Sequence, residues 1–330
     1  MSDAPRFDWT IPEVEALFAL PLLELVRRAA RAHETYHDPE IVHVNQLLSI
    51  KTGACPEDCG YCSQSVHNDT GVKPEPLMKV DDVVRTAKRA KANGVTRFCM
   101  GAAWRDVKDN AQFERVLEMV RQVHALGMET CATLGMLTAE QAQRLDDAGL
   151  YAYNHNLDTS EEFYPEIITT RTYQERLDTI ENVRTTEITV CCGGIIGMGE
   201  SGADRISFLH RLATLTPHPE SVPINVLSRV PGTPLEDAAD VEIDETVRMI
   251  AMARVLMPTS VVRIAAGRHL MGTADQALCF MAGANSIFTS ERNIMLTATT
   301  PCADHASDRQ LLATLGLRAR ELAESPATSS

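Results

Sequence analysis

Short runs of hydrophobic and β-branched residues alternate along the chain with longer amphipathic segments. Eight of the short runs have the length and composition of buried strands, at 43–51, 95–101, 128–135, 150–156, 188–196, 221–227, 261–267 and 285–288. Most are followed by a segment with helical period, such as VDDVVRTAKRAKANG, in which Gly94 stands where a helix C-cap would. The pattern therefore predicts strands and helices in regular alternation.

Strands that alternate with helices predict a parallel sheet. Eight repeats favour closure into a (β/α)8 barrel, although an open doubly wound sheet would give similar local patterns. The length of 330 residues alone would suggest two domains, but α/β barrels reach about 250 residues as a single domain. We predict an α/β fold of the TIM-barrel type, with an N-terminal helical extension over 1–41, a barrel over 42–317 and a disordered tail over 318–330.

Composition and charge exclude several functional classes. Hydrophobic residues make up 44% of the chain, which is enough for a large core, and the formal net charge is −14. Such a charge opposes binding to nucleic acid and to anionic membranes. No run of about 18 apolar residues occurs, and the N-terminus lacks a basic segment followed by an apolar one. We expect a soluble cytoplasmic protein.

Three of the nine cysteines lie in CPEDCGYC, after the first predicted strand. Without a secretory signal, such a set is more typical of metal or catalytic sites than of disulfides. Structural zinc sites and ferredoxin clusters take four protein ligands, whereas Cys55, Cys59 and Cys62 have no fourth cysteine nearby. A [4Fe–4S] cluster held by three thiolates would leave one iron open to a substrate, as a catalytic centre requires. The alternative is a loop that cysteines merely line.

Other reactive groups are predicted near the ends of the remaining strands. In a (β/α)8 barrel these ends form the active-site face. A single buried cysteine is commonly a core residue, and an arginine in an apolar strand ordinarily pairs with an acidic residue. The convergence of many such groups on one face nevertheless indicates an active site, and the groups are Cys99, Cys131, Asn154, Asn156, Asp158, Cys191, Asn225 and Arg263.

The three-cysteine stretch resembles the signature of the radical S-adenosylmethionine (SAM) superfamily, with Tyr61 as the aromatic residue before the last cysteine. Further stretches make the chain similar to the biotin synthase family: RFCMGAAWR (97–105), YNHNLDTS (153–160), IITTRTYQERLDT (167–179), GGIIGMGE (193–200), VPINVL (222–227), GTPL (232–235) and MAGANSIF (281–288). The resemblance extends from about Trp9 to about Leu317. It implies a sulfurtransferase that converts dethiobiotin to biotin by inserting sulfur between two unactivated carbons.

The resemblance also implies cofactors and their ligands. A [4Fe–4S] cluster would be held by Cys55, Cys59 and Cys62, and its open iron would bind SAM. A [2Fe–2S] cluster that donates the sulfur would be held by Cys99, Cys131, Cys191 and Arg263. SAM would contact Tyr61, Asn156, Asp158 and Ile195. The ureido ring of dethiobiotin would be recognised by Asn154 and Asn225.

The implied reaction consumes two SAM molecules, whose 5′-deoxyadenosyl radicals abstract hydrogen first from C9 and then from C6 of dethiobiotin. The resemblance further implies a homodimer and a flavodoxin-type electron donor. Alternation along a strand lets only one of Cys191 and Cys192 face the barrel interior, and the resemblance selects Cys191. Cys279 and Cys302 match no ligand position, so we interpret both as structural.

Other interpretations predict different features. An iron–sulfur electron carrier predicts four-cysteine ligation on a small domain, and a lipoyl synthase predicts a further motif of three cysteines. A radical SAM enzyme without sulfur insertion would not need Cys99, Cys131, Cys191 and Arg263. Two segments depart from the family pattern. The family pattern does not predict the loop conformation of VHNDTG (66–71), and we assign no function to LTATTPCADHASD (296–308).

Overall fold

The structure is a computed structural model that describes residues 4–322 except 293 and 298. Its strands are Ile41–Lys51 (β1), Arg97–Ala102 (β2), Glu129–Thr133 (β3), Ala152–Asn154 (β4), Thr189–Cys191 (β5), Gly194–Ile196 (β6), Ser221–Val226 (β7), Val261–Ile264 (β8), Ser286–Thr289 (β9) and Arg318–Ala319 (β10). Its α-helices are Ile11–Phe18 (α1), Leu22–Tyr36 (α2), Val80–Ala92 (α3), Ala111–His124 (α4), Ala139–Asp147 (α5), Tyr164–Ile167 (α6), Tyr173–Arg184 (α7), Gly202–Thr214 (α8), Ile243–Leu256 (α9), Thr273–Met281 (α10) and His305–Leu315 (α11). None of these helices is long and apolar enough to cross a membrane.

The strands form a closed parallel barrel. Neighbours follow the order β1-β2-β3-β4-β5-β7-β8-β9, and β9 pairs with β1 to close the ring. All six residues of β2 are buried, because helices cover the outer face and side chains fill the interior. The prediction of an eight-stranded (β/α)8 barrel is confirmed.

The fifth position of the barrel contains two short strands, β5 and β6, where the sequence predicted one strand over 188–196. Both pair with β7, and the break falls at Cys192 and Gly193. A Cβ atom on Gly193 would lie 2.0 Å from the carbonyl oxygen of Pro223, so only glycine permits this close approach. The backbone N–H of Gly193 leaves the strand ladder and donates to Asn156 Oδ1 at 3.1 Å. The interruption thus follows from crowding between strands.

Two helices, α1 and α2, occupy the predicted N-terminal extension and pack against the helix layer of the barrel. Arg248 of α9 donates to the carbonyl oxygens of Phe18 and Leu20 at 2.7 and 2.8 Å. Because these carbonyls lie at the ends of α1 and the following turn, one guanidinium anchors the connection between the two helices.

The tail expected to be disordered from residue 318 begins with a strand instead. Arg318 and Ala319 pair in parallel with the first residues of β1. Arg320 then donates to Glu129 at 2.6 Å, and Glu129 also pairs with the fully buried Arg97 at 2.9 Å. Open backbone groups at the start of β1 and a charged pair beneath the barrel therefore order this part of the tail. Residues 323–330, which the same prediction covers, lie outside the described residues.

Candidate active site

A cavity of about 330 Å³ lies at the carboxyl ends of the barrel strands. Every residue predicted to bind a cluster, SAM or dethiobiotin lines it. From the loop after β1 come Cys55, Cys59, Tyr61 and Cys62. From the other strands and their ends come Cys99, Cys131, Asn154, Asn156, Asp158, Cys191, Ile195, Asn225 and Arg263.

The three-cysteine loop is compact and built from backbone hydrogen bonds. The chain turns after β1 through Gly53 and Ala54, whose φ angles are +68° and +53°. Cys55 then donates its N–H to the carbonyl of Gln64 at 3.0 Å and accepts from the N–H of Val66 at 2.9 Å. These bonds fold the segment back on itself, so that cysteines several residues apart face one cavity.

Asn68 lies in the 66–71 segment, which departs from the family pattern, and it binds the backbone of the three-cysteine loop. Its side-chain amide donates to the carbonyl oxygens of Cys59 at 3.1 Å and Cys62 at 2.8 Å. Thr70 donates its hydroxyl to the carbonyl of Ser63 at 2.6 Å. The 66–71 segment thus has a structural role that the sequence analysis did not assign, since it holds the backbone that carries two of the three thiols.

Burial perturbs the thiols of this loop. It raises the pKa of Cys59 to about 12 and that of Cys62 to about 11, because a buried thiolate loses its hydration. Thiolates form in such surroundings when positive charge compensates them, as metal ions do. The donor set therefore fits an iron cluster better than it fits free thiolates.

A buried carboxylate, Glu57, and two arginines lie beside the loop, and sequence reasoning did not assign them. Glu57 accepts from Arg105 Nη1 and from Thr170 Oγ1, both at 2.6 Å. The Nε atom of Arg171 lies 3.9 Å from Glu57. The only sequence feature that pointed to Arg171 was the stretch 167–179, which resembles the biotin synthase family.

Asp158 joins the cysteine loop to the end of β4. Its Oδ2 atom accepts from the Tyr61 hydroxyl at 2.9 Å and lies 2.5 Å from Arg176 Nη2. Arg176 also donates to Tyr164 Oη at 2.9 Å and to the carbonyl of Asn156 at 2.8 Å. Burial, with Asp158 nearby, raises the pKa of Tyr61 well above its usual value, so its hydroxyl remains a donor. Arg176 is a site residue that the sequence analysis missed.

Deeper in the barrel, neighbouring strands bring the other three cysteines together. Cys99 and Cys131 are register partners on β2 and β3, and Cys191 on β5 is the register partner of Asn154 on β4. A hydrogen bond from Cys131 lowers the pKa of Cys99, and the charge of Arg263 acts in the same direction. Each of these three thiols is buried.

Arg263 is only 2% exposed and forms no ion pair with the carboxylates of the described residues. Its Nε atom donates to Ser286 Oγ at 2.9 Å, and Nη1 lies 3.6 Å from Cys191 Sγ. The guanidinium stands over the Phe288 ring at 4.7 Å, while Nη2 is buried without a hydrogen-bond partner. The salt bridge that ordinarily explains an arginine in an apolar strand is therefore not formed here.

The two asparagines predicted to bind the ureido ring are oriented by neighbours within the protein. Asn154 donates to Asn156 Oδ1 at 3.0 Å and to Cys191 Sγ at 3.3 Å, while its oxygen accepts from Thr133 Oγ1 at 3.2 Å. Asn225 donates to the carbonyl of Gly194 at 2.9 Å, and its oxygen accepts a backbone N–H at 3.1 Å. Because an amide offers two N–H groups and two lone pairs, Asn225 keeps one of each for a ligand.

The remaining cysteines stay out of the cavity lining. Cys192 is fully buried in the main core, where burial raises its pKa to about 12, and Cys279 and Cys302 are buried as well. Among the residues that the structure describes, no group of three or more histidine, cysteine, aspartate or glutamate side chains converges on a point as ligands of one metal ion do. In an iron–sulfur cluster each thiolate binds its own iron, so the sulfur atoms need not converge in this way.

Two family models match the chain, one for each half. The model of the radical SAM superfamily matches residues 49–212, and that of the biotin and thiamin synthesis associated domain matches residues 223–318. The biotin synthase of Nostoc punctiforme is 60% identical over 315 residues, which are 96% of this chain and 94% of that protein. A biotin synthase from another Nostoc strain is 59% identical over 321 residues, 97% of this chain and 96% of that protein.

Among solved structures, methylornithine synthase superposes with a TM-score of 0.80 and covers 95% of this chain and 94% of its own. Its sequence identity of 19% supports the fold alone. The sequence relatives support an assignment to a family as well as to a fold, because their similarity spans both matched halves and the loops that line the cavity. The protein is a radical SAM enzyme and belongs to the biotin synthase family.

Proposed function

We propose that this protein converts dethiobiotin to biotin by inserting one sulfur atom between two saturated carbons. Arg263 is the observation that supports this reaction best. A buried guanidinium beside Cys191, with one nitrogen unpartnered and no ion pair to a carboxylate of the described residues, is costly unless something bound nearby compensates its charge. An anionic group held by Cys99, Cys131 and Cys191 would provide that compensation.

Two sets of sulfur donors on one cavity fit two clusters. Cys55, Cys59 and Cys62 would hold a [4Fe–4S] cluster with one iron open, and SAM would bind there beside Tyr61, Asn156, Asp158 and Ile195. The deeper set, Cys99, Cys131, Cys191 and Arg263, would hold a [2Fe–2S] cluster. When bound, the first cluster would supply the electron that cleaves SAM, and the second would supply the sulfur atom.

The chain itself would position the reactants and exclude water. Asn154 and Asn225 line the cavity that both donor sets share, where their amides can orient a ureido ring. The hydrogen bond from Tyr61 and the ion pair to Arg176 hold the Asp158 carboxylate in place for a ribose or amino group of SAM. Because Cys99, Cys131 and Cys191 are buried, a carbon radical formed beside them would be kept away from solvent, which suppresses side reactions.

The test is an anaerobic assay of the protein with both clusters reconstituted. SAM, a reductant and dethiobiotin are added, and biotin and 5′-deoxyadenosine are quantified by mass spectrometry. The proposal expects about two deoxyadenosines per biotin, since two hydrogen atoms are abstracted by radicals of this kind. Deoxyadenosine without biotin, from protein with both clusters verified, would reject the substrate or the sulfur donor.

The proposal extends to the partners that the family resemblance implies, a flavodoxin-type electron donor and a second copy of this chain. Reduction of the reconstituted protein by a flavodoxin system would support the donor, and light scattering would measure the assembly. A monomer in solution that turns over at the full rate would remove the homodimer from the proposal.

A further inference from the structure

Arg171 is a buried cation on the cavity wall that the roles assigned above do not use. It lies in the turn between α6 and α7, is 7% exposed, and lines the same cavity as Cys55, Cys59 and Cys62. Its Nε atom is buried without a hydrogen-bond partner. The carboxylate paired with it is that of Glu57, at 3.9 Å, which is beyond hydrogen-bond distance.

Glu57 is already committed to other donors. Arg105 Nη1 and Thr170 Oγ1 each bind it at 2.6 Å, and Arg105 has a second partner in Glu175 at 3.1 Å. The third arginine near the loop, Arg176, lies 2.5 Å from Asp158. Arg171 is thus the one of these three whose guanidinium has no carboxylate within hydrogen-bond distance, since its ion pair with Glu57 spans 3.9 Å.

We propose that Arg171 is the electrostatic partner of the group held by Cys55, Cys59 and Cys62, and that it raises the reduction potential of that group. The inference rests on the proposed function, because it requires a [4Fe–4S] cluster at this loop. Taking up one electron from an external one-electron donor makes the cluster more negative by one charge. A fixed cation on a buried side chain stabilises this reduced form more than the oxidised form, because solvent screens it weakly.

Arg171 is therefore a positioning and tuning residue and not a catalytic one, and its effect should follow its charge. Arg171→Gln removes the charge, whereas Arg171→Lys keeps it. Arg105→Gln is the matched control: it removes a charge that shares Glu57 but belongs to a side chain that is 31% exposed and does not line the cavity. Water screens that charge more strongly.

The experiment is a redox titration of each reconstituted protein with dithionite, followed by electron paramagnetic resonance of the reduced cluster. For Arg171→Gln we expect the ratio of reduced to oxidised cluster at a fixed potential to fall about tenfold, which is about 59 mV for one electron. Arg171→Lys and Arg105→Gln should each change it less than about threefold. An unchanged potential in Arg171→Gln, or an equal shift in Arg105→Gln, would overturn the inference. A weaker binding of SAM without a change in potential would also overturn it.

Two further comparisons keep the result interpretable. If Arg171→Gln does not fold, Glu57→Gln is compared with the double variant Glu57→Gln/Arg171→Gln. In the double variant the carboxylate of Glu57 is removed together with its arginine, and we expect the same tenfold difference in the ratio of reduced to oxidised cluster. A wild-type protein that forms no reducible cluster at this loop would refute the proposed function. A normal wild-type cluster with an unchanged potential in the charge-removing variants would refute only the role of Arg171.

Discussion

Methionine in place of Arg254 and methionine in place of Arg263 should differ sharply in their effect on the cluster-free protein. Both arginines are almost fully buried, at 0% and 2% exposure, and neither has an ion pair with a described carboxylate. Arg254 nevertheless has polar partners on every side, whereas Arg263 does not. The comparison separates an arginine that holds the fold from one that faces a ligand.

The magnitude follows from the hydrogen bonds. Arg254 donates twice to Gly283 O at 2.9 and 2.8 Å, and once each to Pro258 O at 2.8 Å, Ser260 O at 2.7 Å and Asn285 Oδ1 at 3.1 Å. Methionine would remove all of these donors, and within the described part of the chain only Asn285 Oδ1, through the N–H of Val262, and Pro258 O, through His37, would keep another polar contact. We therefore expect a loss of about 3–5 kcal/mol in the free energy of unfolding.

At Arg263 the losses are smaller and a penalty is removed. Methionine would forfeit the hydrogen bond to Ser286, about 1.5–3 kcal/mol, the weaker one to Cys191 Sγ at 3.6 Å, and the contact over Phe288, about 0.5–2 kcal/mol. It would also remove the cost of burying an unneutralised charge, which is several kcal/mol. The two terms nearly cancel, so we expect a change within about 1 kcal/mol.

The assay is urea unfolding of the cluster-free proteins under anaerobic conditions, monitored by far-ultraviolet circular dichroism. Wild-type protein and Arg254→Met set the upper and lower limits of the scale. A loss of more than about 3 kcal/mol in Arg263→Met would show that this guanidinium stabilises the fold by itself. It would refute the reasoning that reserves Arg263 for a bound group.

Three further perturbations test other parts of the site and the fold. Cys191→Ser should lose the absorbance of the [2Fe–2S] cluster and the two iron atoms of that cluster. Cys192→Ser should keep both but lose about 1–3 kcal/mol in the free energy of unfolding, because a hydroxyl is then buried in the core. Equal iron contents in the two variants would contradict the assignment. Asp158 has a φ of +70°, a conformation that asparagine tolerates better than alanine. Asp158→Ala should therefore be less stable than Asp158→Asn by about 1 kcal/mol in urea unfolding, although both variants lose the ion pair to Arg176. Equal stability would show that the backbone relaxes. Burial lowers the pKa of His33 to about 3, so below pH 6.5 the unfolded chain binds more protons than the folded protein. The free energy of unfolding should therefore fall by about 2 kcal/mol from this residue as the pH drops from 7 to 5. His33→Leu should flatten this pH dependence, measured by urea titration, and an unchanged slope would count against the reasoning.

The barrel could be predicted because its strands are buried on both faces and so form nearly continuous apolar runs. The six residues of β2, all buried, are the clearest example. Reactive residues stood out against this background, since Cys99, Cys131 and Arg263 interrupt strands that packing alone would fill with aliphatic side chains. Periodicity, together with the rule that barrel sites lie at the carboxyl ends of strands, thus located the cavity.

Interactions between distant residues left no such pattern. Arg171 lies in the turn before α7 and Arg176 in its first turns, where charged residues are common, and the carboxylates nearest to them, Glu57 and Asp158, belong to other loops. The break between β5 and β6 depends on a carbonyl oxygen of β7, which local sequence does not encode. The strand at Arg318–Ala319 likewise depends on the free edge at the start of β1 and on Glu129 below it.

The pairing of β1 with β9 also sets an order of events during synthesis. Val44 pairs with Ile287, so the ring stays open until almost the whole chain has left the ribosome. At about 5–20 residues per second this takes about 15–60 s. The cysteines of the loop after β1 are synthesised early and remain uncovered until β9, which is made more than 200 residues later, can pair with β1. An oxidised thiol formed in that interval would be enclosed when the barrel closes, so the growing chain needs protection from oxygen before the fold can shield these cysteines.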